Sequence, residues 1–309
     1  MEPLLNGTGP MELPWSFWII HKEDFFLLLL KVGRLRNIVE YLWLNNIENM
    51  KLQILSNNLM EQFKTAVSEK LDTIIEGLDK IETPVDYFRF YNSVSSVYSS
   101  KIEGEEIDFD SYFKHKFLNI SYKPDYTKKP DDLFMAYEYI FGKELTFENL
   151  KAAHSILSAN LLPASQQGLV RTNPMFVINS DDRIDYVAAE PGKLDAELQR
   201  LFEDIEHLLS AELSHEEVLY YASYIHLVFV KIHPFQDGNG RSARLLEKWF
   251  LIQKIGGKAT AIQLEKNYYL NLQLYYRSLR ILGIDYELLD YNKALDFLLM
   301  TVKGLIDQK

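Results

Sequence analysis

The sequence predicts a mainly helical protein, an all-α bundle of the kind that carries one small β-hairpin. Three observations predict it. Apolar residues recur at steps of three or four along most of the chain. One stretch, "MFVINSDDRIDYVAAEP", alternates instead, with Phe176 and Ile178 before a polar "NSDD" and Ile184 and Tyr186 after it. Capping and breaking residues stand where the periodic runs begin and end.

Residues 17 to 82 read as successive helices with polar breaks such as "LNNIEN" and "SNN". Thr83-Pro84 ends this run, because proline disfavours helix in the residue before it. The spacing of Phe88, Tyr91, Val94, Tyr98 and Ile102 predicts a helix from Val85 to Glu103, with Gly104 as its C-terminal stop. "SYKPDYTKKPDD", residues 121 to 132, reads as a proline-punctuated loop. Ser214 and Glu217 form a capping box, and Val218, Ala222, Ile225 and Phe229 continue from it as a buried stripe. That helix must end near His233, because Pro234 cannot extend its hydrogen-bond ladder. A second helix follows, with Leu245, Leu246, Trp249, Phe250 and Ile252 on its apolar face. "YNKALDFLLMTVKGLIDQK" closes the chain as a short amphipathic helix.

Composition narrows the function classes. The 309 residues carry a net charge of −11, so the surface as a whole is a poor partner for nucleic acid or an anionic membrane. There are no cysteines, which removes disulfides, thiol catalysis and thiolate metal sites. "MEPLLNGTGPMELPW" has no basic region and no apolar core, and the "FFLLLL" run is too short to span a bilayer. A soluble cytoplasmic protein is the expectation.

The chemistry concentrates in "HPFQDGNGRSAR", residues 233 to 244. It joins the end of one buried helix to the start of another. A helix start offers unpaired N–H groups and the positive end of a dipole, so it binds anions. Gly238 and Gly240 let the backbone approach a ligand and form, with Asn239, a nest for phosphate oxygens. Arg241 and Arg244, one turn apart on one face, can each grip phosphate through a fork of donors. Asp237 beside bound phosphates is a handle for Mg2+. His233 at the rim can take a proton from a hydroxyl. These parts suit transfer of a phosphate-containing group from a nucleotide, and the Walker A pattern is absent. By themselves His233 reads as a capping residue, Asp237 as a helix cap and the arginines as a solvated face; together they favour anion chemistry. His154 and His226 lie in apolar patterns and read as satisfied core residues, and the other histidines lack metal-ligand spacing.

The twelve residues match H-x-F-x-[D/E]-G-N-G-R-x-x-R at every specified position, and so resemble the signature of the Fic-domain family. "GLVR", residues 168 to 171, and the hairpin that follows resemble that family's pre-flap and flap, the flap falling at about 174–188. The resemblance covers roughly residues 85 to 290. It divides the chain into an N-terminal helical region, 1–84, a catalytic core, 85–290, and a C-terminal helix, 291–309.

The resemblance implies a protein adenylyltransferase. ATP would sit with its phosphates on Gly238, Asn239, Gly240, Arg241 and Arg244, with Mg2+ on Asp237 and with His233 as the base. Asn271 and Tyr275 would hold the adenine. A target protein would dock along the flap and present a serine, threonine or tyrosine hydroxyl. "SSKIEG", residues 99 to 104, resembles the family's inhibitory pattern, with Ser99, Glu103 and Gly104 in a helix at about 85–104. Glu103 would pair with Arg244 and block productive ATP binding. Three alternatives stay open: a hydrolase that removes AMP with the help of Glu103, transfer of a different phosphate-containing group or use of another nucleotide, and a non-catalytic nucleotide-binding interaction module. A homodimer is open too.

Overall fold

The structure, a computed structural model, describes residues 51–67, 70–80, 82–178 and 183–306. The helical reading of residues 17 to 50, the leader and membrane readings of the first 30 residues and the "NSDD" turn lie outside the described residues. From Leu52 onward the described residues form one compact unit.

Twelve α-helices and one hairpin stand among the described residues. Helices α1 (Met60–Ala66) and α2 (Leu71–Gly77) come first, then α3 (Tyr87–Ile102), α4 (Phe109–Leu118), α5 (Pro124–Ile140) and α6 (Phe147–Leu157). Strands β1 (Phe176–Ile178) and β2 (Ile184–Val187) pair antiparallel. Helices α7 (Leu194–Ser210), α8 (His215–Ile232), α9 (Asn239–Ile255), α10 (Leu264–Leu270), α11 (Leu272–Arg280) and α12 (Leu295–Ile306) follow. The mainly helical architecture with one hairpin is the one the sequence predicts. No described helix is long and apolar enough to cross a membrane.

Helix α8 is the axis. Nearly every residue from Glu217 to Ile232 is buried, because α9, α12, α7 and α1 all pack on it. A helix buried on all sides needs no polar face, and its sequence has little of one. The capping box forms as expected: the Ser214 hydroxyl accepts from the Glu217 N–H, and the Glu217 carboxylate accepts from the Ser214 N–H. Helices α1 and α2, which precede the Thr83-Pro84 break, pack on α8 and α12.

The loop expected at 121 to 132 holds only for residues 121 to 123, and the rest is helical. Helix α5 begins at Pro124, a position where no intrahelical N–H is needed, and runs through Pro130. An internal proline costs about 3 kcal/mol. Fully burying Leu133, Phe134, Tyr137 and Ile140 offsets it, at roughly 1.5–3 kcal/mol for each such side chain. The Tyr112 hydroxyl also donates to the carbonyl of Pro130 at 3.4 Å. Tertiary burial overrides the proline signal here.

Two buried polar hubs are satisfied internally. Glu247 accepts from the hydroxyls of Tyr268 (2.8 Å) and Thr301 (2.6 Å) and from His226 Nδ1 (2.7 Å). Glu265 accepts from Ser95 (2.9 Å) and Tyr137 (2.7 Å) and lies 3.3 Å from the Lys248 ammonium. His226 is thus a satisfied core residue, as the sequence suggests.

Gly168 is tightly constrained. Its φ is +71°, and a Cβ there would lie 2.7 Å from the Lys151 carbonyl oxygen. Gly168→Ala meets both the left-handed strain and this backbone clash. It should cost about 1–3 kcal/mol, visible as a lowered denaturant midpoint with an unchanged m-value.

Candidate functional site

The loop between α8 and α9 is held in an uncommon backbone conformation. His233 has φ +55°, a left-handed conformation that costs roughly 1–2 kcal/mol for a non-glycine residue. Arg171 supports it from outside. Its backbone N–H donates to the Pro234 carbonyl at 2.9 Å, and its Nε donates to the His233 carbonyl at 2.7 Å. The rest of its guanidinium donates to the carbonyls of Asn173 and Ala189, both at 2.6 Å, which flank the hairpin. One side chain therefore ties the loop to both feet of the flap.

Two more groups close the loop. Asn239 accepts from the Phe235 N–H and donates to the Phe235 carbonyl, both at 2.8 Å. Its side chain is a staple that closes the turn on Phe235. His154 accepts the Gly168 N–H on Nδ1 at 2.9 Å. That fixes its proton on Nε2, which donates to the Asp237 carbonyl at 2.9 Å, while the ring stacks on Phe235 at 3.7 Å. His154 is a satisfied buried residue, as its apolar pattern suggests.

His233 keeps one ring nitrogen free of protein partners among the described residues. Its Nδ1 lies 3.1 Å from the Val230 carbonyl, so Nδ1 carries the proton and the lone pair is on Nε2. Burial, and then the charge of Arg171, push the imidazole down to about 4 against the pull of the Val230 hydrogen bond. It is neutral at pH 7.

The start of α9 offers donors. Gly238 takes φ +78°, and its N–H donates to the Asp237 carboxylate at 2.6 Å. The N–H groups of Asn239, Gly240 and Arg241 have no acceptor among the described residues. Arg241 is buried, its Nε has no partner and its nearest carboxylate is Glu105 at 3.4 Å. Asp237 is exposed and makes no ion pair among the described residues.

Glu103 reaches into this array from the end of α3. Helix α3 ends where the sequence places it, with Glu103 as its cap and Gly104 at φ +85°. Arg244, fully buried, donates to the Glu103 carboxylate at 2.6 Å, to the Ser99 hydroxyl at 2.8 Å and to the Ser99 carbonyl at 3.2 Å. A Cβ on Gly240 would lie 2.5 Å from Glu103 Oε1, so only glycine admits the carboxylate above the helix start. Burial raises the Glu103 carboxyl, but Arg244, with Arg241 behind it, outweighs burial and holds it below its ordinary value.

One cavity of about 210 Å³ touches this assembly. Glu103, His233, Gly240, Arg244 and Tyr275 line it on one side, and Val177 and Tyr186 of the hairpin close it. Tyr275 lines this cavity and donates its hydroxyl toward His226, with Arg244 at 3.4 Å. Asn271 is not in this cavity. It lies at the junction of α10 and α11, bonds to Asn267 and lines a separate surface groove with Tyr269 and Arg277. Helix α11 lines the cavity with Tyr276 and Leu279 instead. Leu279 lies one turn beyond Tyr275 and three residues after Tyr276, so the three side chains share a face.

Arg171 stands in the pre-flap stretch and His154 in an apolar pattern, but neither position reveals its part in the loop. Both act through contacts more than 60 residues away in the chain, which leave no local signal.

Comparisons with known proteins bear on the family and the fold. The Fic/DOC family model matches residues 144–251. A protein adenylyltransferase Fic from Drosophila virilis is 33% identical over 113 residues, 36% of this chain and 21% of that protein. The chain thus spans about a fifth of the length of the curated relatives it matches. A Fic family protein from Desulfovibrio desulfuricans superposes with a TM-score of 0.65 at 18% identity, covering 83% of this chain and 74% of that one. A Fic domain containing signaling protein from Bacteroides thetaiotaomicron gives 0.60 at 18% identity, covering 77% and 92%. At such identities the solved structures speak for the fold.

The Glu103–Arg244 pair sets a pH dependence. A carboxyl held below its ordinary value of 4.5 contributes stability that is full above that value and is lost as pH falls through the folded-state pKa. Glu103→Gln should therefore lower the denaturant midpoint at pH 7, and the gap to wild type should close as pH drops below about 4.5. A gap unchanged at about pH 3 would count against the pair.

Proposed function

We propose, from the premise that this chain belongs to the Fic-domain family, that it transfers AMP from ATP to a hydroxyl of a target protein and that Glu103 restrains the reaction. The observation that carries this reading is the meeting, at one helix start, of a neutral His233 with a free Nε2 and a buried Arg244 held by an internal carboxylate.

The phosphates of ATP fit the unpaired N–H groups of residues 239 to 241 and the forks of Arg241 and Arg244. The unpartnered Arg241 Nε is a donor that an anion would satisfy. The nucleobase fits the apolar part of the cavity, between Val177 of the hairpin and Tyr276 and Leu279 of α11. His233 Nε2 takes the proton of a serine, threonine or tyrosine hydroxyl. The oxygen attacks the α-phosphorus, the bond to the oxygen that bridges the α- and β-phosphates breaks, and pyrophosphate leaves. Most of the acceleration comes from position and from donors aimed at the developing charge.

Asp237 fits Mg2+. It is an exposed carboxylate beside the anion site without a competing ion pair, and Mg2+ takes one or two carboxylates plus substrate phosphates. The metal would neutralise phosphate charge there. No cluster of three or more histidines and carboxylates exists among the described residues, so the phosphates must complete its shell.

The target docks along β1. The outer edge of β2 is already used: the Val187 N–H donates to the Ile284 carbonyl at 2.7 Å, and Val187 bridges Asp285. The edge of β1 is therefore the one open to strand addition.

Glu103 and the terminal phosphate compete for Arg244. Glu103→Gly should raise self-modification and target labelling by labelled ATP at least tenfold. Labelling no greater than wild type, in a folded protein, removes the restraint from the proposal. Loss of AMP from a modified target with wild type, but not with Glu103→Gly, assigns hydrolysis instead.

In the Glu103→Gly protein, His233→Ala should cut transfer by roughly 100-fold or more while ATP binding, measured by calorimetry, changes little. Undiminished transfer would remove His233 as the base.

A further inference from the structure

We propose that Lys231 reads the nucleobase, donating from its ammonium to an acceptor atom on the base edge. This rests on the nucleotide reading above and extends it to a residue outside the signature motif.

Lys231 stands in the last turn of α8, two residues before His233, and lines the same cavity. It is 4% exposed. Among the described residues its ammonium has no hydrogen-bond acceptor and no counter-ion within ion-pair distance. Its one close contact is the face of Tyr186, 4.0 Å from the ring centroid. The Tyr186 hydroxyl donates to the Lys231 carbonyl at 2.7 Å, so ring and lysine are fixed as one unit. The carboxylate it feels from the hairpin, Asp185, is engaged by Arg280 at 2.5 Å.

A largely buried ammonium that meets only an aromatic face and a cavity costs stability, because most of its hydration is lost and no acceptor replaces it. Burial accordingly lowers this amine to about 8. Every other buried cation of the site has at least one acceptor. Arg244 has Glu103 and Ser99, Arg171 has four carbonyls, and Arg241 reaches Glu105. Lys231 alone among these has none.

The surroundings say what kind of group it meets. Val177, Tyr186, Val230, Tyr276 and Leu279 give this part of the cavity apolar walls. A phosphate would lose its hydration there for a single cation, and it already has better donors at Gly240 and Arg244. A flat heteroaromatic ring suits the walls, and its ring nitrogen or keto oxygen suits the ammonium. A base that presents a donor at that edge leaves the ammonium unpaired and is rejected.

The test uses the Glu103→Gly protein as parent and adds Lys231→Met, close in length and uncharged. Calorimetry with ATP, AMP and tripolyphosphate separates base from phosphate. Lys231→Met should weaken ATP and AMP about tenfold each and leave tripolyphosphate unchanged. It should also raise the melting temperature, because the unpaired charge is gone. Lys231→Gln, which keeps a donor, should recover part of the lost affinity. Unchanged ATP affinity overturns the inference, and so does an equal loss for tripolyphosphate, which would put the ammonium on the phosphates. A lowered melting temperature with unaltered ATP and AMP affinities makes Lys231 structural. If the parent itself binds neither ATP nor AMP, the nucleotide reading falls and takes this inference with it.

Discussion

A fully buried guanidinium must have an anion beside it, and the site is organised around that requirement at Arg244. Leaving such a charge unpaired costs several kcal/mol. Ser99 supplies a hydroxyl and a carbonyl, which satisfy donors but not charge. Only the Glu103 carboxylate neutralises it among the described residues. Any anion that replaces Glu103 must do so on the same donors, so ligand binding and the position of the end of α3 are linked.

The loop that carries His233 depends on its surroundings in the same way. A left-handed histidine next to a proline is strained, and the surrounding structure holds it there through three separate ties. Arg171 holds the carbonyl of His233, Asn239 closes the turn on Phe235, and His154 fixes the carbonyl of Asp237. These ties come from three different segments. The loop is therefore rigid only when the surrounding fold is complete, and the hairpin, through Arg171, shares that support. His233 and the hairpin are positioned together.

Much of this is legible in the sequence. The apolar stripes of α3, α8 and α9, the Ser214 capping box, the stop at Gly104 and the hairpin all follow from local periodicity and local turn chemistry. So does the i to i+4 placement of Ser99 and Glu103, which brings both to Arg244. What is not legible depends on distant contacts. Helix α5 forms through two prolines because its far end is buried, and the sequence window holding the prolines contains no sign of that. Asn271 is expected to hold the adenine only through the family resemblance of "NLQLYYRSL". The break between α10 and α11 turns it onto Asn267 instead, and the cavity is lined by Tyr276 and Leu279.

Glu103 occupies more than one part of an anion site. It bonds to Arg244, and it lies close enough to Gly240 that a Cβ there would collide with it. A carboxylate in that place meets the guanidinium and the positive end of α9 at once, as a phosphate oxygen would. Its charge is favoured by both, which is why burial fails to raise its pKa. On the nucleotide reading proposed above, an incoming triphosphate would have to displace a partner that is already ionised, tethered and within bonding distance. It would do so by offering Arg244 and the helix start more charge than one carboxylate carries.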